Sequence, residues 1–235
     1  MKNIVITGGT KGIGKALAVK FATAGFQIAI CSRNTNDLAE IASKLKEESG
    51  AASVIYKKCD VSIKQEIEAF GDFILEKWAT VDVLVNNAGI FIPGQLHTEE
   101  AGTLEKTMDT NLYSAYYLTR KLLPTMMERK KGHIFNICST ASIMAYINGG
   151  AYCISKHALL GMSKLFREEL KPFNIKVTSV LPGATYTASW AASDFPPERF
   201  ASAEDVAETI WSAWQLSPSA VVEEVLIRPM QGDIK

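Results

Sequence analysis

Tyr152-Cys153-Ile154-Ser155-Lys156 sets a phenol and an ammonium four residues apart, and on a helix that spacing brings both to one face. A phenol in water titrates near ~10, so giving and taking a proton near neutrality needs a shift of about 3 units, or about 4 kcal/mol. A neighbouring cation moves a phenol in that direction. Ser139, thirteen positions upstream, adds a hydroxyl that could hold an oxygen while a proton moves. Each feature is ordinary alone, since a Tyr four residues before a Lys is common on helices and Ser139 could simply close a strand. A second group, Thr7-Gly8-Gly9-Thr10-Lys11-Gly12-Ile13-Gly14, suits anion binding. Glycines let backbone approach a phosphate, and the free N–H groups of a following helix attract its charge.

These groups need elements to hold them, and short β-rich apolar runs alternate with longer helical periodicities along the chain. The pattern predicts strands near 3–7, 27–31, 53–58, 82–86, 133–138, 175–181 and 222–228. Helices are predicted at 12–24, ended by a left-handed Gly25, and at 36–48, 63–78, 99–129, 151–171 and 203–215. The expected fold is α/β: a single doubly wound, Rossmann-like domain over residues 1–235, with a mostly parallel seven-stranded sheet flanked by helices. In such a sheet ligands bind at the carboxyl ends of the strands, where each chemical group above falls. Pro196 and Pro197 forbid a continuous helix or central strand, which makes the loop of about 186–202 the candidate substrate lid.

Twenty-five basic residues balance twenty-five acidic ones, so no overall field draws the chain to nucleic acid or an anionic membrane. No run approaches the ~18 apolar residues of a spanning helix. The N-terminus carries no recognisable leader, and a cytoplasmic location is the default expectation. Cys31, Cys59, Cys138 and Cys153 stand without a C-x-x-C pair and are expected to be buried, reduced thiols. His97, His133 and His157 are scattered, and no grouping has zinc spacing, so no metal is expected.

Gly9, Gly14 and Lys15 also match the spacing of a nucleoside-triphosphate loop, but Ala16 stands where that motif needs a hydroxyl for Mg²⁺. Gly8, Gly12 and Gly14 instead form G-x-x-x-G-x-G after Thr7. With Asn86-Asn87-Ala88-Gly89, Asn111, Ser139 and Tyr152-x-x-x-Lys156 in this order, the chain resembles the short-chain dehydrogenase/reductase family from Thr7 through its last strand. The resemblance implies hydride transfer between NADP(H) and a carbonyl or secondary alcohol. It implies Tyr152 as proton donor to the carbonyl oxygen, Ser139 as the group polarising that oxygen, and Lys156 as ligand of the nicotinamide ribose and depressor of the phenol pKa. Asn111 would anchor a water leading protons to the lysine. The dinucleotide would lie on Gly8, Thr10, Lys11, Gly12, Ile13 and Gly14. Asp60 and Val61 would meet the adenine, Asn87, Ala88 and Gly89 the ribose, and Pro182, Gly183, Thr185 and Thr187 the carboxamide and phosphates. Read blandly, Asp60 is a helix cap, the asparagine pair a turn, and Pro182-Gly183 likewise.

An acidic residue ending the second strand would bind the 2′-hydroxyl and repel a 2′-phosphate. Here stand Ser32 and Arg33, and a guanidinium suits a phosphate; with Lys11 they favour NADP(H). Two other readings stay open: a non-catalytic NADP(H) sensor or scaffold, and an NAD-linked alcohol dehydrogenase. Phe91, Ile92, Ile143, Met144, Tyr146, Tyr186, Trp190 and Phe195 are candidate pocket residues for a modest hydrophobic small-molecule substrate, or else plain packing. The resemblance also implies a homodimer or homotetramer, pairing the helices near 99–129 and 151–171. The Ile227-Arg228-Pro229-Met230-Gln231-Gly232-Asp233 ending departs from the glycine-rich close of fatty-acid-type ketoreductases, which weighs against acyl-carrier substrates.

Overall fold

The structure, a computed structural model, describes residues 1–49, 53–187, 190 and 193–234; of the predicted substrate loop, residues 188, 189, 191 and 192 lie outside it. Its centre is one seven-stranded sheet in the order β3-β2-β1-β4-β5-β6-β7 with every neighbouring pair parallel. The strands are β1 Asn3–Thr7, β2 Gln27–Ser32, β3 Val54–Lys58, β4 Val83–Asn86, β5 Gly132–Ile137, β6 Ile175–Pro182 and β7 Glu224–Ile227. The sheet runs outward from β1 in both directions. A crevice therefore opens beyond the carboxyl ends of β1 and β4, the topological switch point at which open α/β sheets bind ligands.

Both faces are covered, as a parallel sheet requires. Ile4 and Ile6 of β1 point to a core shared with α1 (Gly12–Thr23), α2 (Thr35–Ser49) and α7 (Ala203–Gln215), while Val5 points to α3 (Lys64–Lys77), α5 (Ser114–Arg129) and α6 (Gly150–Leu170). Fully buried side chains such as Phe21 and Phe70 fill the two layers; each contributes on the order of 2–3 kcal/mol of burial free energy.

Gly25 takes φ +82° directly after α1, the left-handed stop expected from sequence. The helix predicted over 99–129 does not form as one element. Gly102, at φ +87°, delays its start to α4 (Thr103–Met108), and a π-helical turn over Asp109–Tyr113 separates α4 from α5. Such turns widen the spiral by one residue and recur at functional sites; Asn111 sits in the middle of this one. Asp60 is no helix cap either, because α3 begins at Lys64 with Ile63 as its extended cap, and the Asp60 carboxylate instead accepts from Ser62 N (3.0 Å) and Ser62 Oγ (2.7 Å).

One buried titratable group is structural. His133 of β5 stacks on Phe135 at 3.8 Å between ring centroids, and its Nε2 meets Thr178 Oγ1 at 2.8 Å. Thr178 spends its proton on Val222 O, so Nε2 must be the donor, which leaves Nδ1 bare and without a partner among the described residues. Burial, with Lys176 adding repulsion, pushes the His133 pKa down to about 3. The unfolded chain then binds more protons than the folded one between about pH 6.5 and about pH 3, so stability is lost as the pH falls through that window. The expected loss from this group is about 3 kcal/mol between about pH 7 and about pH 4. Urea unfolding of wild type and His133→Phe at both pH values measures it, and equal pH slopes for the two proteins would exclude the effect.

Candidate active site

The glycine loop is built against its neighbours by backbone contact. Gly8 N donates to Cys31 O (3.1 Å), which fastens the loop beside the end of β2. Asn87 Nδ2 donates to Thr7 O (2.8 Å) and Gly8 O (3.2 Å), while Thr7 Oγ1 accepts from the backbone of both Asn87 and Ala88. The Asn87 amide thus braces the loop. A Cβ at Gly14 would overlap the Gly8 carbonyl oxygen and approach Asn87 Nδ2 to 2.6 Å, so only glycine lets α1 start this close to the loop. Gly8 adopts φ +67°, a region costly for residues with a Cβ. Thr187 lies over the same loop, its methyl 2.9 Å from where a Cβ on Gly12 would be. The result is an exposed N-terminus of α1 cradled by backbone, the shape that receives a pyrophosphate.

Three strand ends meet next to it. Cys59 N donates to Ser32 O (2.9 Å), bringing Asp60 and Val61 to Ser32 and Arg33. Ser32 Oγ accepts from Asn34 N (3.1 Å), while Arg33 is exposed and makes no ion pair among the described residues. Lys11 Nζ pairs with Asp37 Oδ2 at 2.9 Å. Both groups keep solvent contact, so the pair is worth only about 0–1 kcal/mol and yields readily to a stronger anion. Pro182 ends β6, Gly183 N donates to Ile227 O (2.7 Å), and Thr185 Oγ1 donates to Gly183 O (3.1 Å). Together with Thr187 this segment crosses the same edge of the sheet.

The phenol, the ammonium and the serine hydroxyl converge there too. Ser139 follows β5 and caps the short turn Thr140–Ser142, its Oγ accepting from Ala141 N (3.1 Å). Tyr152 stands in the first turn of α6, with Lys156 one turn on; the Lys156 Nζ lies 5.7 Å from the phenol ring centroid and donates to Ile137 O (2.7 Å). Asn111 accepts from Ile90 N (2.7 Å) through Oδ1 and donates from Nδ2 to Ile90 O (3.0 Å) and Ser155 Oγ (2.9 Å). Ser155 Oγ in turn donates to Tyr152 O (2.8 Å). That serine, absent from the expected set, ties the π-helical turn to the backbone of Tyr152; its place inside Tyr-x-x-x-Lys was the only sequence signal. Asn111 Oδ1 and Lys156 Nζ both face Gly89, at 3.3 and 3.6 Å from a Cβ built there.

Burial raises the Tyr152 pKa, with the Ser139 hydroxyl opposing it. Burial also pushes Lys156 down to about 8, because a buried ammonium is penalised in the same way. At neutral pH the phenol therefore holds its proton. That is the state an acid must start from.

A cleft of about 690 Å³ is walled by Leu96, His97, Tyr146 and Ile147 and by Ile154 and His157 of α6; Ser139, Tyr152 and Lys156 do not line it. Of the expected pocket residues only Tyr146 lines it. Phe91 instead sets its ring edge-on to Tyr152 at 5.0 Å, and Tyr186 and Trp190 pack on Phe200. All four cysteines are buried and free. Among the described residues no cluster suits a metal ion, and no helix is long and apolar enough to cross a membrane.

Known proteins share this fold. The family of short chain dehydrogenases matches residues 2–195. A sepiapterin reductase of Chlorobaculum tepidum is 34% identical, over 100% of this chain and 99% of that protein. An alcohol dehydrogenase from the archaeon Thermococcus sibiricus, solved with 5-hydroxy-NADP, superposes with a TM-score of 0.92 at 27% identity, covering 100% of this chain and 99% of the other. A 7α-hydroxysteroid dehydrogenase solved with NADH and 7-oxo glycochenodeoxycholic acid gives 0.90 at 27% identity, covering 100% and 95%. With the parallel sheet, the glycine cradle and a family match over most of its length, the chain belongs to the short-chain dehydrogenase/reductase family of oxidoreductases.

Proposed function

We propose that this protein is an NADP(H)-dependent carbonyl reductase in which Tyr152 is the acid. The observation that carries the reading is the meeting of the Tyr152 phenol, the Lys156 ammonium and Ser139 at the sheet edge that also bears the glycine cradle. The cradle fits a dinucleotide: backbone N–H groups at the start of α1, no Cβ at Gly8, Gly12 or Gly14, and Thr187 opposite. Ser32 and Arg33, with Lys11 released from Asp37, would hold a 2′-phosphate, and Pro182, Gly183 and Thr185 the nicotinamide end. When bound, the reduced nicotinamide supplies the hydride. Tyr152 Oη gives its proton to the carbonyl oxygen, and Ser139 Oγ holds that oxygen as charge develops on it. Lys156 takes the ribose hydroxyls and stabilises the phenolate left behind. Asn111, through Ser155, keeps the Tyr152 backbone in place and would hold the water that returns a proton.

The fold by itself does not choose the cofactor, since its relatives include proteins solved with an NADP derivative and with NADH; Arg33 and the missing acid at Ser32 favour NADP(H). The joint presence of Asn111, Ser139, Tyr152 and Lys156 argues against a sensor. Ile154 and Leu165, exposed on one face of α6, fit a homo-oligomer paired through that helix. NADPH oxidation across carbonyls that include sepiapterin, a 7-oxo steroid and simple aromatic ketones tests the reading: turnover of at least one is expected, and tight nucleotide binding without any turnover would favour the sensor.

A further inference from the structure

We propose that Glu99 is a positioning residue for the catalytic helix, latching the segment after β4 onto the first turn of α6. This rests on the reductase reading above. Gly149 precedes α6 without a side-chain cap, so the first N–H groups of the helix that carries Tyr152 need a partner from elsewhere. Glu99 supplies it: its Oε1 accepts from Ala151 N at 2.8 Å, one residue before Tyr152 and fifty-two positions away in sequence. Two glycines make room for that carboxylate. A Cβ at Gly150 would overlap Glu99 Oε1, and one at Gly94 would stand 2.8 Å from Glu99 Cγ. Gly94 N also donates to Asn148 O (3.1 Å), and Gly94 bridges Gly149 as a parallel pair. The same segment begins with Phe91 against the Tyr152 ring and supplies Leu96 and His97 to the cleft. One carboxylate thus fixes the start of the catalytic helix and one wall of the adjoining cleft. An anion at a helix N-terminus is favourably placed.

Glu99→Ala is expected to speed amide hydrogen exchange over residues 150–156 in the nucleotide-free protein. It should also lower kcat about ten- to a hundredfold, the order of loss that slight misplacement of a reacting group brings, with NADPH affinity unchanged. Glu99→Gln, which keeps the acceptor oxygen, should restore most of both, and Glu99→Asp, one methylene short, should not. Should the alanine variant fail to fold, the glutamine and aspartate variants decide alone: equal exchange and equal kcat in those two would overturn the latch. Unchanged exchange in Glu99→Ala would do the same. If the wild-type protein reduces no carbonyl, the functional reading falls, while the exchange data still judge the latch.

Discussion

Replacing Tyr152 with phenylalanine is expected to lower kcat for carbonyl reduction by about a hundred- to ten-thousand-fold, the range one positioned acid supplies, while NADPH still binds. The change removes one oxygen from a ring that stays edge-on to Phe91 and leaves the Lys156 bond to Ile137 O untouched. Nothing in the glycine cradle contacts that oxygen, so the nucleotide site should survive. Steady-state kinetics with fluorescence titration of NADPH separates the two effects. Loss of binding in step with kcat would instead mark Tyr152 as a cofactor anchor.

The second large effect concerns cofactor choice. Arg33→Asp exchanges the one exposed guanidinium at the end of β2 for a carboxylate, removing a charge-assisted donor worth about 1.5–3 kcal/mol and adding repulsion toward a 2′-phosphate. Together these should cost NADPH about a hundredfold or more in kcat/KM, with NADH gaining because the acid can accept from its 2′-hydroxyl. Lys11 softens the loss only if it leaves Asp37, and a Lys11→Ala background should deepen it. Kinetics with both nucleotides measures the ratio; a wild-type preference for NADH would remove the phosphate argument.

The parts legible in the sequence are those whose cause is local. The glycine spacing, the strand before it and the Gly25 stop all follow from backbone requirements of a few adjacent residues, and each stands where expected. Tyr152 and Lys156 were legible because helix geometry fixes their relation. Asn111 was named from resemblance, but its mechanism was hidden: the π-helical turn that aims it and the Ser155 hydroxyl that receives it depend on α6 packing against that turn. Helical periodicity ran past Gly102 because pattern alone does not register that this glycine takes a left-handed conformation. Glu99 was invisible because its partner lies on another element. Spacing reveals the cation near Tyr152 and not the burial that raises the phenol's pKa. Composition left Tyr186 and Trp190 as pocket or packing residues, and it did not show their shared contact with Phe200.

The most direct test is isotopic. NADPH deuterated at its transferable position is mixed with a carbonyl substrate of the wild-type enzyme, and the alcohol is analysed by mass spectrometry, with Tyr152→Phe run in parallel. One deuterium on the carbinol carbon with wild type, and a trace with Tyr152→Phe, is the expected result. Equal labelling by both proteins, or no label from NADPH with any carbonyl tried, would contradict proton donation by Tyr152 to a substrate reduced at this sheet edge.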